Sequence, residues 1–158
     1  MTYDEYIKAC NKEARDNNRT PIQWDNSINA GWNTGAKPWL KINPNCKKIN
    51  VENQISDENS ILSFYKKLIK VRKDKEFEET FVYGDFKHHL KDNKNVFVYT
   101  RESSVNKVLV VVNMKGKQEQ ITLPFVNKKT LLSNYNKEYL GNIYSLQPYE
   151  ALVVEIEK

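Results

Sequence analysis

The spacing of hydrophobic positions divides the chain into a helical first half and a β-rich second half. Apolar residues recur at helical intervals in residues 3–14 and again, more strongly, in residues 57–73, where Asp57 is the expected N-cap. Residues 15–48 between them follow no regular pattern and hold all three tryptophans. Because disordered segments are poor in aromatic residues, we predict an ordered functional loop there.

From Phe77 onward apolar and polar residues alternate, and turn residues separate short runs. Eight strands are predicted, at 81–83, 85–90, 96–99, 107–113, 119–123, 130–132, 141–146 and 151–156. Short strands at this spacing are typical of antiparallel sandwiches and barrels. The predicted fold is therefore mainly β: an antiparallel β-sandwich C-terminal domain preceded by a helix–loop–helix segment.

Composition and charge narrow the classes of function. The chain has 158 residues, a formal net charge of +5 and 39 % hydrophobic residues. The apolar content is low but is that of a globular rather than a disordered protein. Most lysines are scattered singly, so no nucleic-acid partner is expected. The longest apolar run, Val108–Val112, is too short to cross a membrane, and the N-terminus lacks the pattern of a signal peptide.

The cysteines and histidines indicate no cofactor and no metal site. Cys10 and Cys46 belong to no metal-binding or redox motif, so they are expected to be reduced thiols in a cytoplasmic protein. His88 and His89 are adjacent on a predicted strand and should face opposite ways. They can therefore form neither a catalytic triad nor one metal site.

The strongest candidate for chemistry is the loop segment 15–25, RDNNRTPIQWD. Arginines bind carboxylates or vicinal hydroxyls, and a tryptophan face stacks on a sugar ring. Asp16 and Asp25 could form the carboxylate pair of a glycosidase. However, Asp16 lies beside two arginines, which should lower its pKa, and Asp25 occupies a natural turn position. The segment is therefore interpreted as a binding loop without a complete catalytic set.

Segment 15–25 resembles the RDNxRTPMQWD segment of the alpha-amylase-type glycoside hydrolases. The resemblance is strongest to the group that contains oligo-1,6-glucosidase, alpha-glucosidase, dextran glucosidase and trehalose-6-phosphate hydrolase. It continues through 29–32, 38–45, 60–73 and 82–86 and so covers nearly the whole chain.

The resemblance implies a fold and a set of roles. In this family a (β/α)8 barrel carries an Asp nucleophile, a Glu acid/base and a second Asp, and an antiparallel β-domain follows. Those three carboxylates have no counterpart here, so no catalytic residue is expected. The implied domains are 1–75, the C-terminal end of the barrel, and 76–158, the β-sandwich.

The resemblance also implies site residues. Arg15 and Asp16 match a pair near the mouth of the substrate pocket, so Arg15 is expected to contact substrate and Asp16 to orient it. Arg19, Gln23 and Trp24 are expected to support the loop.

Three hypotheses remain open at this point. The first is that the chain is the C-terminal part of a cytoplasmic retaining α-glucosidase for α-1,6- or other α-glucosidic bonds of short oligosaccharides, inactive alone. The second is a stand-alone carbohydrate-binding or structural β-domain. The third is that the chain is a relative of the amylase-like ectodomains that partner amino-acid transporters. The sequence shows neither a membrane segment nor a disulfide framework, and both observations count against this third hypothesis.

The expected partners follow from the first hypothesis. They are an α-linked oligosaccharide and the missing catalytic barrel. Helix 57–73 should stay packed on the β-domain. Residues 1–45 should be the least ordered part of the chain or should mediate self-association, because they would normally contact the barrel.

Overall fold

The computed structural model describes residues 1–13, 19–139 and 141–158. The chain divides into two compact units, Met1–Ser63 and Phe64–Lys158. The first unit consists of loops and helices, and the second is mainly antiparallel β-sheet. The mainly β fold expected from the alternating pattern is thus confirmed.

Helix α1, Tyr3–Glu13, opens the first unit close to the predicted bounds. Thr2 and Glu5 cap it reciprocally: the Glu5 amide donates to the Thr2 hydroxyl, and the Thr2 amide donates to the Glu5 carboxylate. The other helical segments that lie wholly in this unit are short, namely 3₁₀ turns at Ile28–Gly31 and Pro44–Lys47 and helix α2 at Val51–Ile55.

Helix α3 spans Ile61–Arg72, and the boundary between the two units falls within it. Its N-cap is Ser60, whose hydroxyl accepts a hydrogen bond from the Ser63 amide at 3.1 Å. The prediction of Asp57 as the cap is wrong, because its carboxylate accepts instead from the Asn59 amide in the turn before the helix. The helix therefore starts one turn later than predicted.

Seven strands form two antiparallel sheets in the second unit. They are β1 (Asp85–His89), β2 (Val96–Glu102), β3 (Lys107–Asn113), β4 (Glu119–Thr122), β5 (Asn127–Ser133), β6 (Ile143–Leu146) and β7 (Ala151–Ile156). The larger sheet has the order β1-β2-β3-β7-β5, and β4 pairs with β6. Each of these strands overlaps a predicted one.

The eighth predicted strand, 81–83, is wrong. Its first two residues belong to helix α4, Glu78–Val82. Phe77 and Phe81 are four residues apart, so one helical face buries both rings in one hydrophobic cluster. Carbonyls at the end of this helix accept hydrogen bonds from Arg72 and Arg101. These contacts outweigh the local preference of a short aromatic run for a strand.

The larger sheet is buried on both faces in its centre. One face packs on the β4–β6 sheet through a cluster that includes Leu109, Val111 and Tyr144. The other face packs on Phe64 and Val71 of α3 through Val108, Val153 and their neighbours. This explains why the run in β3 is continuously apolar rather than alternating. The packing of Phe64 and Val71 also confirms the prediction that the helix packs on the β-domain, for the part of the helix that begins at Phe64.

Candidate functional site

The two residues expected to contact substrate, Arg15 and Asp16, lie outside the described residues. Their neighbour Arg19 is exposed, and its guanidinium makes no hydrogen bond or ion pair with the part of the chain that the structure describes. The described part of the candidate loop begins at residue 19.

Gln23 and Trp24 tie the loop to the segment that begins α2. The Gln23 side-chain amide donates to the Ile49 carbonyl at 2.5 Å. The Val51 amide donates to the Gln23 carbonyl at 2.8 Å, and the Glu52 amide donates to the Trp24 carbonyl at 2.9 Å. Three bonds along two residues hold this segment in one position, which is what a support for a binding loop requires.

A tight turn follows, in which Asp25 is the organising side chain. Its carboxylate accepts hydrogen bonds from the Ser27 amide at 2.8 Å and the Ser27 hydroxyl at 2.5 Å. These two bonds stabilise the anion and lower the pKa of Asp25. A carboxylate held ionised in this way suits a structural role better than that of a general acid, as the turn interpretation of Asp25 expects.

The backbone of Asn29, Ala30 and Gly31 is left-handed in three successive residues, with φ of 54°, 55° and 80°. The buried Ala30 closes the turn by accepting the Trp24 amide at 3.0 Å, and Asn29 donates its side-chain amide to Asn33 and to the Ala36 carbonyl. Non-glycine residues adopt this conformation at a cost, and the surrounding hydrogen bonds maintain it.

The loop tryptophans differ in their surroundings. Trp24 and Trp32 are about half exposed, and their ring centroids lie 6.0 Å apart. The Trp32 indole donates to the Ile22 carbonyl at 2.5 Å. Trp39, by contrast, is 97 % exposed. The first two therefore brace the loop, while Trp39 is free to contact another molecule.

The histidines lie on opposite faces of β1, as predicted. The His88 ring contacts the Phe97 ring at 4.9 Å, whereas His89 bonds the Thr100 hydroxyl at 2.9 Å and meets the Phe125 ring edge-on. Burial, together with Lys87 and Lys107 nearby, lowers the pKa of His89. The two side chains do not converge on one site.

Glu150 is fully buried, and its hydrogen-bond partners give it a structural role. Its carboxylate accepts hydrogen bonds from the Tyr139 hydroxyl at 2.8 Å and the Gln147 amide at 2.7 Å. Burial and this carboxylate raise the pKa of Tyr139. Since its oxygens are engaged inside the β-domain, Glu150 is part of the core and not a general acid or base.

Two residues important for the loop were missed by sequence reasoning. Asn50 is 2 % exposed, caps α2 by accepting the Asn53 amide, and donates to the Cys46 carbonyl. At Gly31, the Asp25 carboxylate lies in contact with the position that a Cβ atom would occupy, so a side chain there would clash with it. An Asn directly before a short apolar–polar run is a signal that could have identified the cap.

Two kinds of feature, a metal site and a membrane-spanning helix, were looked for in the described residues. They contain no group of three or more His, Cys, Asp or Glu side chains that could hold a metal ion. Across the same residues, no helix is long and apolar enough to span a membrane.

Comparison with known proteins gives matches over the whole chain. Residues 1–84 match the alpha amylase catalytic domain, and residues 96–153 match the alpha-amylase SusG C-terminal domain. The oligo-1,6-glucosidase of Heyndrickxia coagulans is 39 % identical over 158 residues, and that of Bacillus cereus is 40 % identical. These matches cover 100 % and 96 % of this chain but only 27 % and 26 % of the relatives.

A solved structure agrees in fold. The isomaltulose synthase mutant of Erwinia rhapontici NX5, in complex with its natural substrate sucrose, superposes with a TM-score of 0.89 at 35 % identity. The match covers 100 % of this chain and 28 % of that one. Because the catalytic-domain match takes in more than half of the chain and the relatives agree, this protein belongs to the alpha-amylase family of glycoside hydrolases.

Proposed function

We propose that this chain forms the C-terminal part of a retaining α-glucosidase that acts on α-1,6- or other α-glucosidic bonds of short oligosaccharides. The observation that carries the proposal is the 39–40 % identity to oligo-1,6-glucosidases over nearly the whole chain. The chain spans about a quarter of their length, so the remainder of the catalytic domain must be supplied from outside these residues. Residues 1–75 would complete that domain, and 76–158 would form a β-sandwich beside it.

Within this function, Arg15 would contact the sugar and Asp16 would orient it. The hydrogen bonds of Gln23 and Trp24 support such a role, because they hold the polypeptide just after the pair to the start of α2. Arg19, exposed in the described part of the chain, would complete the support of the loop. Cys10 and Cys46 are free thiols, which supports a cytoplasmic location for this enzyme.

The test is a hybrid enzyme in which this chain replaces the matching quarter of the Bacillus cereus oligo-1,6-glucosidase. Hydrolysis of isomaltose and of an aryl α-glucoside is measured for the hybrid and for the isolated chain. We expect turnover by the hybrid and none by the isolated chain. Turnover by the purified chain alone would overturn the proposal that it needs the rest of a catalytic domain.

The role of Arg15 is tested in the same hybrid. Arg15→Ala should lower kcat/KM by roughly 10- to 100-fold, the value of a charge-assisted hydrogen bond. Lys8→Ala, an exposed change on α1, is the matched control and should leave kcat/KM unchanged. Equal activity of the Arg15 variant and this control would remove Arg15 from the site.

A further inference from the structure

A cavity of about 270 Å³ lies within the second unit, between helix α3 and the face of the larger sheet that packs on this helix. Helices α3 and α4 form one wall, and strands β2, β3, β5 and β7 form the other. A well-packed protein interior contains few voids larger than one water molecule. The space is therefore large enough to be considered as a binding site.

The walls of the cavity are almost entirely apolar, and three of the lining side chains are aromatic, namely Phe64, Phe81 and Tyr99. Water finds few hydrogen-bond partners in such surroundings, and an apolar cavity of only about 150 Å³ can stay dry and bind benzene. The larger volume here has room for one aromatic ring and a short chain. The surrounding rings favour an aromatic occupant, because they can meet it edge to face.

Arg72 is the only residue with a charged side chain among the described residues that line the cavity. It lies one helical turn after Leu68, and both side chains are exposed, so the cavity opens to solvent along this side of α3. The Arg72 Nη1 donates to the Phe81 carbonyl at 3.2 Å, and its guanidinium forms no ion pair with the described residues. Most of its five N–H donors are therefore available to an anion at the cavity mouth.

A second guanidinium adds positive charge beside the cavity. Arg101 donates from Nε to the Thr80 carbonyl and from Nη2 to the Val82 carbonyl, both in the helix whose Phe81 carbonyl binds Arg72. Burial raises the pKa of the Tyr99 hydroxyl, and the charges of Arg101 and Arg72 act on this pKa in the opposite direction. Both charges therefore lie near a lining residue, and no acidic side chain among the described lining residues compensates them.

We propose that the cavity binds a small carboxylate with an aromatic body, an arylalkanoate of about ten to twelve non-hydrogen atoms. Its ring would fill the space between α3 and the sheet, and its carboxylate would accept hydrogen bonds from the Arg72 guanidinium. An organic cation would meet charge of the same sign. A sugar would leave its hydroxyls without partners in the apolar interior. Binding of this kind does not depend on the proposed α-glucosidase activity.

The first experiment measures the binding of three probes to the full chain by calorimetry. They are 4-phenylbutyrate, its neutral amide and 4-phenylbutylammonium, which share an aromatic body and differ in the charge of the head group. We expect a dissociation constant on the order of 0.1 mM for the carboxylate, about tenfold weaker binding of the amide, and no measurable binding of the ammonium. At about 1 mM, the carboxylate should raise the Tm of the second unit by roughly 2–4 °C.

The second experiment changes the cavity itself. Ala151 lines it from β7 and uses only its backbone to bond Asn134, so Ala151→Leu adds carbon atoms to the space without removing a hydrogen bond. This variant should weaken 4-phenylbutyrate at least about tenfold and leave the Tm of the ligand-free chain unchanged or higher. Should it fail to fold, Val112→Phe fills the same cavity from β3 and is held to the same affinity criterion.

The role of the charge is tested by Arg72→Gln. It should weaken the carboxylate at least about tenfold and leave the affinity of the amide unchanged, a difference that a general loss of structure would not produce. Lys94→Gln removes the same charge from an exposed turn and is the matched control, with all affinities unchanged.

Three results would overturn the proposal. One is the absence of detectable binding of 4-phenylbutyrate at millimolar concentration. Another is an amide that binds as tightly as the carboxylate, which would assign the cavity to neutral aromatic compounds and remove Arg72 from the site. The third is equal binding of the carboxylate to the wild type and the cavity-filling variant, which would place the ligand elsewhere on the chain.

Discussion

Asp25 and Gly31 approach each other so closely that only glycine fits the second position. A Cβ on Gly31 would lie 2.7 Å from a carboxylate oxygen of Asp25, and the φ of +80° disfavours any other residue. This pair therefore determines the path of the loop that follows Gln23 and Trp24. Its importance could not be read from the sequence, since many glycines in loops are replaceable.

Gly31→Ala should lower the free energy of unfolding of the first unit by about 1–3 kcal/mol, through both backbone strain and the clash with Asp25. Urea unfolding followed by tryptophan fluorescence measures it, because all three tryptophans lie in this unit. Gly35→Ala is the control, since nothing lies within 4 Å of its added Cβ. Equal midpoints for the two variants would contradict the steric argument.

His89 makes the stability of the folded chain depend on pH. Burial lowers its pKa in the folded state below the ordinary 6.5, so the unfolded chain takes up the proton first as the pH falls. Its contribution to stability is complete above about pH 6.5 and is lost as the pH decreases below that value.

The effect should be on the order of a few tenths of a kcal/mol, because the ring is only partly buried and solvent screens it. We expect the stability difference between the wild type and His89→Gln to stay constant above pH 6.5 and to change in favour of the variant below it. Urea midpoints between pH 5 and pH 8 measure this. A difference that is the same at every pH would show that His89 does not titrate on unfolding.

Among the helices and strands, those with strong periodicity were predicted well. The β3 run and the α3 stripe are long enough for their pattern to exceed local noise. Helix α4 was missed because its five residues are too few to show a period, and its formation depends on Phe77 and Phe81 packing against the sheet. Such a contact is not visible in local sequence.

The start of α3 provides a test of which residue caps it. Ser60→Ala removes the bond to the Ser63 amide and the 2.7 Å bond to the Gln54 carbonyl, so it should cost about 1 kcal/mol or more. Asp57→Ala removes a single bond in an exposed turn and should cost less. Urea unfolding monitored by circular dichroism compares the two. A greater loss for Asp57→Ala would restore the cap that the sequence suggested.

Over the whole chain, burial is distributed very unevenly between the two units. Among the described residues, every buried hydrophobic side chain except Ala30 lies in the second unit. Local stability follows buried apolar contacts, so the two units should open with different free energies.

Amide hydrogen exchange should therefore be slowest in β2, β3 and β7 and at least about a hundredfold faster in the first unit, a gap of roughly 2.7 kcal/mol. Mass spectrometry of peptides from the isolated chain measures it. Protection of residues 19–45 as strong as that of β3, in a chain shown to be monomeric, would contradict this distribution and the expectation that residues 1–45 are the least ordered part.

The amino-acid order alone was sufficient for the family, the antiparallel strands and the candidate loop, because these depend on periodicity and on a specific run of polar residues that are local in the chain. The cap at Ser60, the helix at α4 and the left-handed turn at Asn29–Gly31 emerged only from the folded structure. Helix α4 depends on contacts with residues distant in sequence, such as Arg101. The cap and the turn depend on which of several nearby hydrogen-bond partners the folded chain brings into place, and a sequence pattern does not distinguish those partners.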